Sequence, residues 1–171
     1  DGPCMDYTDD QTADGLWQAT MAGGVSNIWG NLTNPDTGKV TKSGNFGSFS
    51  YSDGTIEEIS TWDRFFNDED RFALDAKIAN ELTGGSRNGQ YALESEEENS
   101  VVIYIEDSDT LDLNLSQLRG DAEWSSGARV IAVDTEKGYA EINLGTYALN
   151  DRNIDMGTVS DWAFYLTPAD G

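Results

Sequence analysis

Histidine is absent from this chain, cysteine occurs once and proline three times. Without histidine the chain lacks the commonest general base and the commonest transition-metal ligand. No Ser-His-Asp or Cys-His arrangement can be assembled from its residues. With Cys4 alone, no disulfide can close within the chain and no zinc site can be built from thiolates. Basic residues are scarce as well: 10 Lys and Arg stand against 32 Asp and Glu, a net charge of −22. That balance argues against nucleic acid as a partner, because phosphate contacts draw on Lys and Arg. There is no polybasic segment to hold an anionic membrane, and no apolar run approaches the ~18 residues of a membrane helix. No signal peptide is visible, and the opening Asp1-Gly2-Pro3 reads as a processed, cut or fragmentary sequence.

What is present is acid, glycine and aromatic residues. The carboxylates read mainly as solvated surface. Eighteen Gly in 171 residues, with much Asp and Asn and little Lys, fit a turn-rich secreted β protein. The length suffices to bury a core. Residues 1–12 are polar and read as a loop. From Thr12 to Ala22 the spacing of Leu16, Trp17, Thr20 and Met21 marks one face of a helix. Thr12 or Asp14 is placed to cap it, and Gly23-Gly24 to stop it. Val25–Trp29 is too short for a helix and too apolar for a loop, so it is expected as a buried strand. Residues 30–54 are rich in Gly, Asn, Ser and Thr and read as a long loop, with a candidate hairpin near Phe46–Tyr51. Thr55-Ile56-Glu57-Glu58 fits a capping box. Behind it Ile56, Ile59, Trp62, Phe65 and Phe66 form an apolar stripe. Asn67–Asp70 ends or kinks this helix, and Arg71–Leu82 is a candidate second short helix.

The period then changes to two. Gln90–Glu94, Ser100–Glu106, Thr110–Leu115, Ala128–Thr135, Tyr139–Leu144 and Trp162–Thr167 read as strands, with Ala122–Trp124 a candidate extra one. Val101, Ile103, Ile105, Leu111, Leu113, Val133, Ile142, Trp162 and Phe164 are expected to point inward. Asp134–Gly138 reads as a hairpin turn with Gly138 at a left-handed position. This many short strands suggest a β-sandwich. The fold class expected is α+β: a helical and loop-rich part over residues 1–87, then an antiparallel β-sandwich over 88–171.

Two stretches in this order carry a resemblance. Leu16-Trp17-Gln18-Ala19-Thr20-Met21-Ala22-Gly23-Gly24-Val25 through Ile28-Trp29-Gly30 resembles the seventh helix and eighth strand of glycoside-hydrolase-type (β/α)8 barrels. Trp62-Asp63-Arg64-Phe65-Phe66 sits where the last barrel helix falls. Tyr91-Ala92-Leu93, Val102-Ile103-Tyr104, Leu111-Asp112-Leu113, Val133–Gly138 and Asp161–Leu166 resemble the C-terminal β domain of those proteins, which carries a collagen-binding label. The resemblance implies a secreted glycoside-hydrolase-like parent, with this chain as its C-terminal, accessory or structural portion. Such barrels place their two catalytic carboxylates on strands four and seven. No Glu precedes Glu57 here, so no catalytic residue is carried over and the chain alone is not expected to catalyse.

The candidate sites follow. Asn27, Trp29 and Asn31 would lie at the C-terminal end of the eighth strand, where barrel active sites open. An indole can stack there on a sugar ring and the amides can bond its hydroxyls; the alternative is core packing for Trp29 and a turn for Asn31. Asp107 and Asp109, with Asp112 near, offer oxygen ligands for calcium, the one cofactor the residues leave open, although an acidic turn needs no ion. Asn31 and Asn114 stand in glycosylation sequons, and Asn114 should point outward between Leu113 and Leu115. Val25–Trp29, lacking parallel neighbours, is expected to pair with another chain, join the sheet, or abandon strand geometry. The partner classes implied are carbohydrate and protein, including self-association, and the expected location is extracellular. The rival reading is an extracellular structural or adhesive protein, a subunit of a repeating assembly.

Overall fold

The computed structural model of the protein describes residues 9–24, 53–69, 71, 73, 75–118 and 122–169. Helix α1 spans Asp9–Met21 and α2 spans Asp53–Asp63, continued by a π-helical turn over Arg64–Asp68. Six strands follow: β1 Lys77–Ile78, β2 Gln90–Ser95, β3 Ser100–Asp112, β4 Ala128–Asp134, β5 Ile142–Tyr147 and β6 Asn153–Pro168. They form one antiparallel sheet in the order β1-β2-β3-β6-β4-β5. The class is therefore α+β, with antiparallel sheet as its larger part.

Helix α1 forms on the expected face. Leu16, Trp17, Thr20 and Met21 are all buried, and the helix begins at Asp9, so Thr12 and Asp14 lie inside it rather than at its cap. Its end is set by glycine. Gly23 has a φ of +83°, and its N–H returns to Thr20 O at 2.8 Å, while that of Gly24 returns to Ala19 O at 2.8 Å. A side chain is strained at that φ. Helix α2 begins at Asp53, which places Thr55 within the first turn instead of at the cap. Its stripe is also shifted. The π turn has an extra residue, which brings the adjacent Phe65 and Phe66 both into the core, while Ile56 is left 47% exposed.

Between the helices and β2 the sequence expectation fails. Arg71–Leu82 is not a second helix: it holds the two-residue strand β1 and a 3-10 turn at Asn80–Leu82. Ala79 and Leu82 are drawn into the core of the sheet, and packing there outweighs a weak helical propensity.

The described strands form one sheet, where two packed sheets of a sandwich were expected. Ser100–Glu106 and Thr110–Leu115 are not two strands but largely one, β3, which pairs with an equally continuous β6. The pair carries register shifts between Ile105 and Ser108 and between Ser108 and Thr110. Bulges of this kind bend and twist a strand pair. The stretch of β6 before Trp162 completes the pair, with Gly157 at φ +68° within it. A single sheet thus supplies apolar residues from both of its arms to one core. Val101, Ile103, Ile105, Leu111, Ile154, Val130, Trp162 and Phe164 belong to that cluster, with Leu144 and Met156 packed on it. The opposite face holds a second core, in which Val102, Tyr104, Val133 and Ala163 meet Trp17, Met21, Phe65 and Phe66 of the helices. Of the nine residues expected inward, eight are buried; Val133 lies in the second core, and Ile142, on the edge strand β5, is 41% exposed. Strand β5 itself begins at Ile142 rather than Tyr139. Ala122–Ser126 is a 3-10 turn, not a strand.

Candidate functional site

The described residues bring carboxylates together where the two helices meet one end of the sheet. Helix α1 contributes Asp14 and α2 contributes Glu58. Strand β6 contributes Asp161, and the β4–β5 turn contributes Glu136. With Trp17 and Tyr104 they wall a cavity of about 20 Å³. Space of that size holds one water, not a sugar ring.

The acids here are tied into the fold. Asp161 Oδ2 accepts from the Tyr104 hydroxyl at 2.7 Å, and its Oδ1 accepts from the Asp107 N–H at 2.7 Å. Its main-chain oxygen accepts from the N–H of Thr135 at 2.9 Å and the hydroxyl of Thr135 at 3.1 Å. Burial, and secondly the charge of Asp161, push the Tyr104 hydroxyl far up, so it stays protonated and acts as a fixed donor. Next to this group Ser160 Oγ lies 2.7 Å from Asp134 Oδ1 and 2.9 Å from Glu136 Oε2. Having one proton, it can donate to only one of them at a time. Lys137 Nζ approaches Asp134 Oδ2 at 2.5 Å and closes the turn. Gly138 is not at a left-handed position; a Cβ there would meet Glu57 Oε1 at 2.7 Å, the mobile end of an exposed side chain. Thr61 donates to Lys137 O at 2.8 Å, and the Trp62 indole N–H donates to Thr20 Oγ1 at 3.1 Å, which fixes α2 to the turn and to α1. The indole N–H of Trp17 is buried and finds no hydrogen-bond partner among the described residues.

Glu106 stands at the rim of this cluster. Gln18 Nε2 donates to it at 2.6 Å and the Tyr91 hydroxyl lies at 3.5 Å. Burial is the largest influence on its carboxyl; with the charges of Asp161 and Asp107 it outweighs those bonds, and the carboxyl titrates above its ordinary range. A carboxyl held high in the folded state favours folding below its unfolded value of about 4.3 and loses that contribution as pH rises through the folded value. Glu106→Gln keeps an oxygen for Gln18 and removes the charge. The variant is therefore expected to unfold at higher urea than the parent at pH 7, with the difference closing toward pH 4. Equal midpoints at pH 7 would show that the charge carries no cost.

A second cluster lies at the far end of the helices. Arg71, with a side chain 5% exposed, sits between the rings of Phe65 (4.9 Å) and Tyr165 (4.7 Å). It donates to Tyr139 Oη at 3.0 Å and to Glu141 Oε1 at 2.5 Å. Tyr139 in turn donates to Glu141 at 2.6 Å; burial first, and that bond second, push its hydroxyl up to about 12. Burial alone would raise Glu141, but its bonds from Tyr139 and Arg71 outweigh burial and hold it below the ordinary range. Beside Arg71 a mainly apolar cavity of about 70 Å³ opens between Phe66, Leu93 and Val102, with Ser95 and Ser100 at its border.

Asn27, Trp29 and Asn31 lie outside the described residues, as do the segments Val25–Trp29, expected as a strand, and Phe46–Tyr51, expected as a hairpin. Asp107 and Asp109 do not form an acidic turn between two strands; they sit on the bulge within β3, with Asp107 at φ +47°. Asp109 Oδ1 accepts from the Thr110 hydroxyl at 3.0 Å. Among the described residues no three His, Cys, Asp or Glu side chains are gathered as a metal would need. Asn114 is half-buried, with its amide donating to Glu81 O at 3.3 Å and its oxygen accepting from Arg152 at 2.6 Å. The acidic cluster escaped the sequence reading because its members are dispersed from Asp14 to Asp161. One local signal was available: Asp161 opens the apolar run Trp162-Ala163-Phe164, and Tyr104 stands between Ile103 and Ile105.

No protein-family model matches the chain, and neither does any curated protein. Solved structures do match it. A family 5 glycoside hydrolase from Bacteroides vulgatus ATCC 8482 aligns with a TM-score of 0.71 at 10% identity, over 100% of this chain and 38% of that one. A second structure, described as a glycoside hydrolase, aligns with a TM-score of 0.65 at 11% identity, over 100% of this chain and 39% of that one. The likeness is one of fold, and the chain spans well under half the length of either structure.

Proposed function

We propose that the chain is the non-catalytic, C-terminal part of a longer secreted glycoside-hydrolase-like protein, with the helix-backed sheet as its accessory or structural module. One observation carries the reading: the whole chain aligns with a glycoside hydrolase structure while accounting for 38% of it. A two-part organisation belongs to the same proposal, with residues 1–87 as the end of a barrel and 88–171 as the β module. So does carbohydrate as the class of ligand for the parent protein.

The described acids support the non-catalytic half of this proposal. Glycoside hydrolysis uses two carboxylates on either side of a bound sugar, about 5–9.5 Å apart depending on stereochemistry. The cavity among Asp14, Glu58, Glu136 and Asp161 holds about 20 Å³, and both oxygens of Asp161 already accept bonds from the fold. Purified chain incubated with cellulose, xylan, mannan and starch is expected to release no reducing sugar, whereas the longer reading frame around it should act on at least one. Hydrolysis by the chain alone, abolished by Asp161→Asn or Glu136→Gln, would overturn the reading.

A further inference from the structure

Asn88-Gly89 is the one Asn-Gly pair in the sequence, and the fold displays it at the surface. Asn88 is exposed and ends a 3-10 turn over Ser86–Asn88, in front of β2. Gly89 follows at φ +66°, a conformation that costs glycine little and other residues more. Having no side chain, Gly89 leaves the approach of its nitrogen to the Asn88 side chain unobstructed on its own account.

We propose that Asn88 is a site of spontaneous deamidation in the folded protein, independent of the function assigned above. The Gly89 nitrogen bonds to Asn88 Cγ, and its proton departs with the side-chain nitrogen as ammonia. A five-membered succinimide closes. Water then opens the ring: addition at the side-chain carbonyl leaves aspartate, and addition at the main-chain carbonyl leaves isoaspartate. No oxidant or enzyme is required. The Asn88 amide donates to Gly84 O at 3.0 Å. This bond must break before ammonia leaves, so conversion is slower than in a free peptide, but an exposed bond of this kind opens readily.

The product has a place to act. A Cβ at Gly89 would lie 3.4 Å from Glu106 Oε2, and Gly89 O accepts from the Glu106 N–H at 2.9 Å. A new carboxylate one residue away adds to a net charge already at −22. Isoaspartate also lengthens the main chain by one methylene just before Gln90. The Gln90 amide oxygen accepts from the N–H of Gly84 at 2.9 Å and of Asp112 at 3.2 Å, joining the β2 entry to the end of β3. Conversion should therefore loosen the β1–β2 edge of the sheet and leave the β4–β6 ladder intact.

The test incubates the full chain, folded, at 37 °C and pH 8. Isoelectric focusing follows its charge, and proteolysis at acid pH with mass spectrometry locates the product. An acidic species is expected to accumulate, with the mass gain of an amide-to-acid exchange at Asn88, several-fold faster than at Asn99, Asn114, Asn143 or Asn153. An isoaspartate methyltransferase should label it, and Asn88→Gln should suppress it. Gly89→Ala should slow it, a weaker control because that φ strains alanine. Retention of the amide at Asn88 while another asparagine converts, or conversion only after unfolding in urea, would overturn the proposal.

Discussion

Replacing Trp17 with alanine is expected to release both helices from the sheet. Trp17 is 1% exposed and lies at the centre of the second core. Its ring stacks on Tyr104 at 5.2 Å and 11°, and meets Phe65 edge-on at 5.5 Å and Phe66 at 5.4 Å. Removing a buried Trp side chain costs about 3–5 kcal/mol, and each lost aromatic pair adds about 0.5–1.5 kcal/mol. Domains of this size are stable by about 5–15 kcal/mol, so the loss is a large part of the total. It falls unevenly. The larger core inside the sheet contains no residue of either helix. Amide exchange in α1 and α2 should therefore rise strongly, while Ile103, Ala132 and Phe164 stay slow. A matched change in the other core, Phe164→Ala, should weaken every element together. A loss in Trp17→Ala of less than about 1 kcal/mol, or a sheet that opens as readily as the helices, would refute this division of the two cores.

The pattern of residues predicts which faces are buried better than it predicts how the chain turns. Leu16, Trp17, Thr20 and Met21 repeat at helical spacing, and all four are buried because a helix offers one stripe to a neighbour. Val101, Ile103 and Ile105 repeat at two for the corresponding reason in a strand. What the alternation left open was the fate of Val102 and Tyr104. They are apolar on the outer face because the helices cover it, so β3 is buried on both sides along its first half. Asp107-Ser108-Asp109 carries the composition of a turn, yet it forms a bulge within one strand. Composition alone does not separate the two, since both tolerate positive φ and unpaired residues. Ile142 is apolar without being core, because an edge strand has neighbours on one side only. The acidic cluster and the Arg71 node were hidden for a different reason. Each joins residues far apart in sequence, Asp14 with Asp161 and Arg71 with Glu141, and only the packing of the helices onto the sheet defines them.

Arg71→Met tests the second of these junctions. The guanidinium joins the end of α2 to the β4–β5 connection through Glu141 and Tyr139, and to the helix-facing core through Phe65 and Tyr165. Methionine fills much of the volume but leaves Glu141 without its cation and the Tyr139 oxygen without its donor. Breaking a buried ion pair costs about 3–5 kcal/mol. Glu141 is 34% exposed and can recover some hydration, so a loss near the lower figure is expected, about 3 kcal/mol including the two ring contacts. The pH dependence gives the sharper test. Glu141 is held below its ordinary value in the folded state. A depressed carboxyl contributes stability above its unfolded value of about 4.3 and loses it as pH falls through the folded one. The parent protein should lose this contribution below about pH 4, whereas Arg71→Met keeps only the share from the Tyr139 bond and the Arg64 charge and has less to lose. The gap between the two in urea denaturation should thus be widest near pH 7 and narrow toward pH 3. Glu141→Gln, which keeps an acceptor for Arg71, should show a smaller loss at pH 7 and the same flattening in acid. A gap between parent and Arg71→Met that stays constant from pH 7 to pH 3 would mean that packing, not the ion pair, holds the helix end in place.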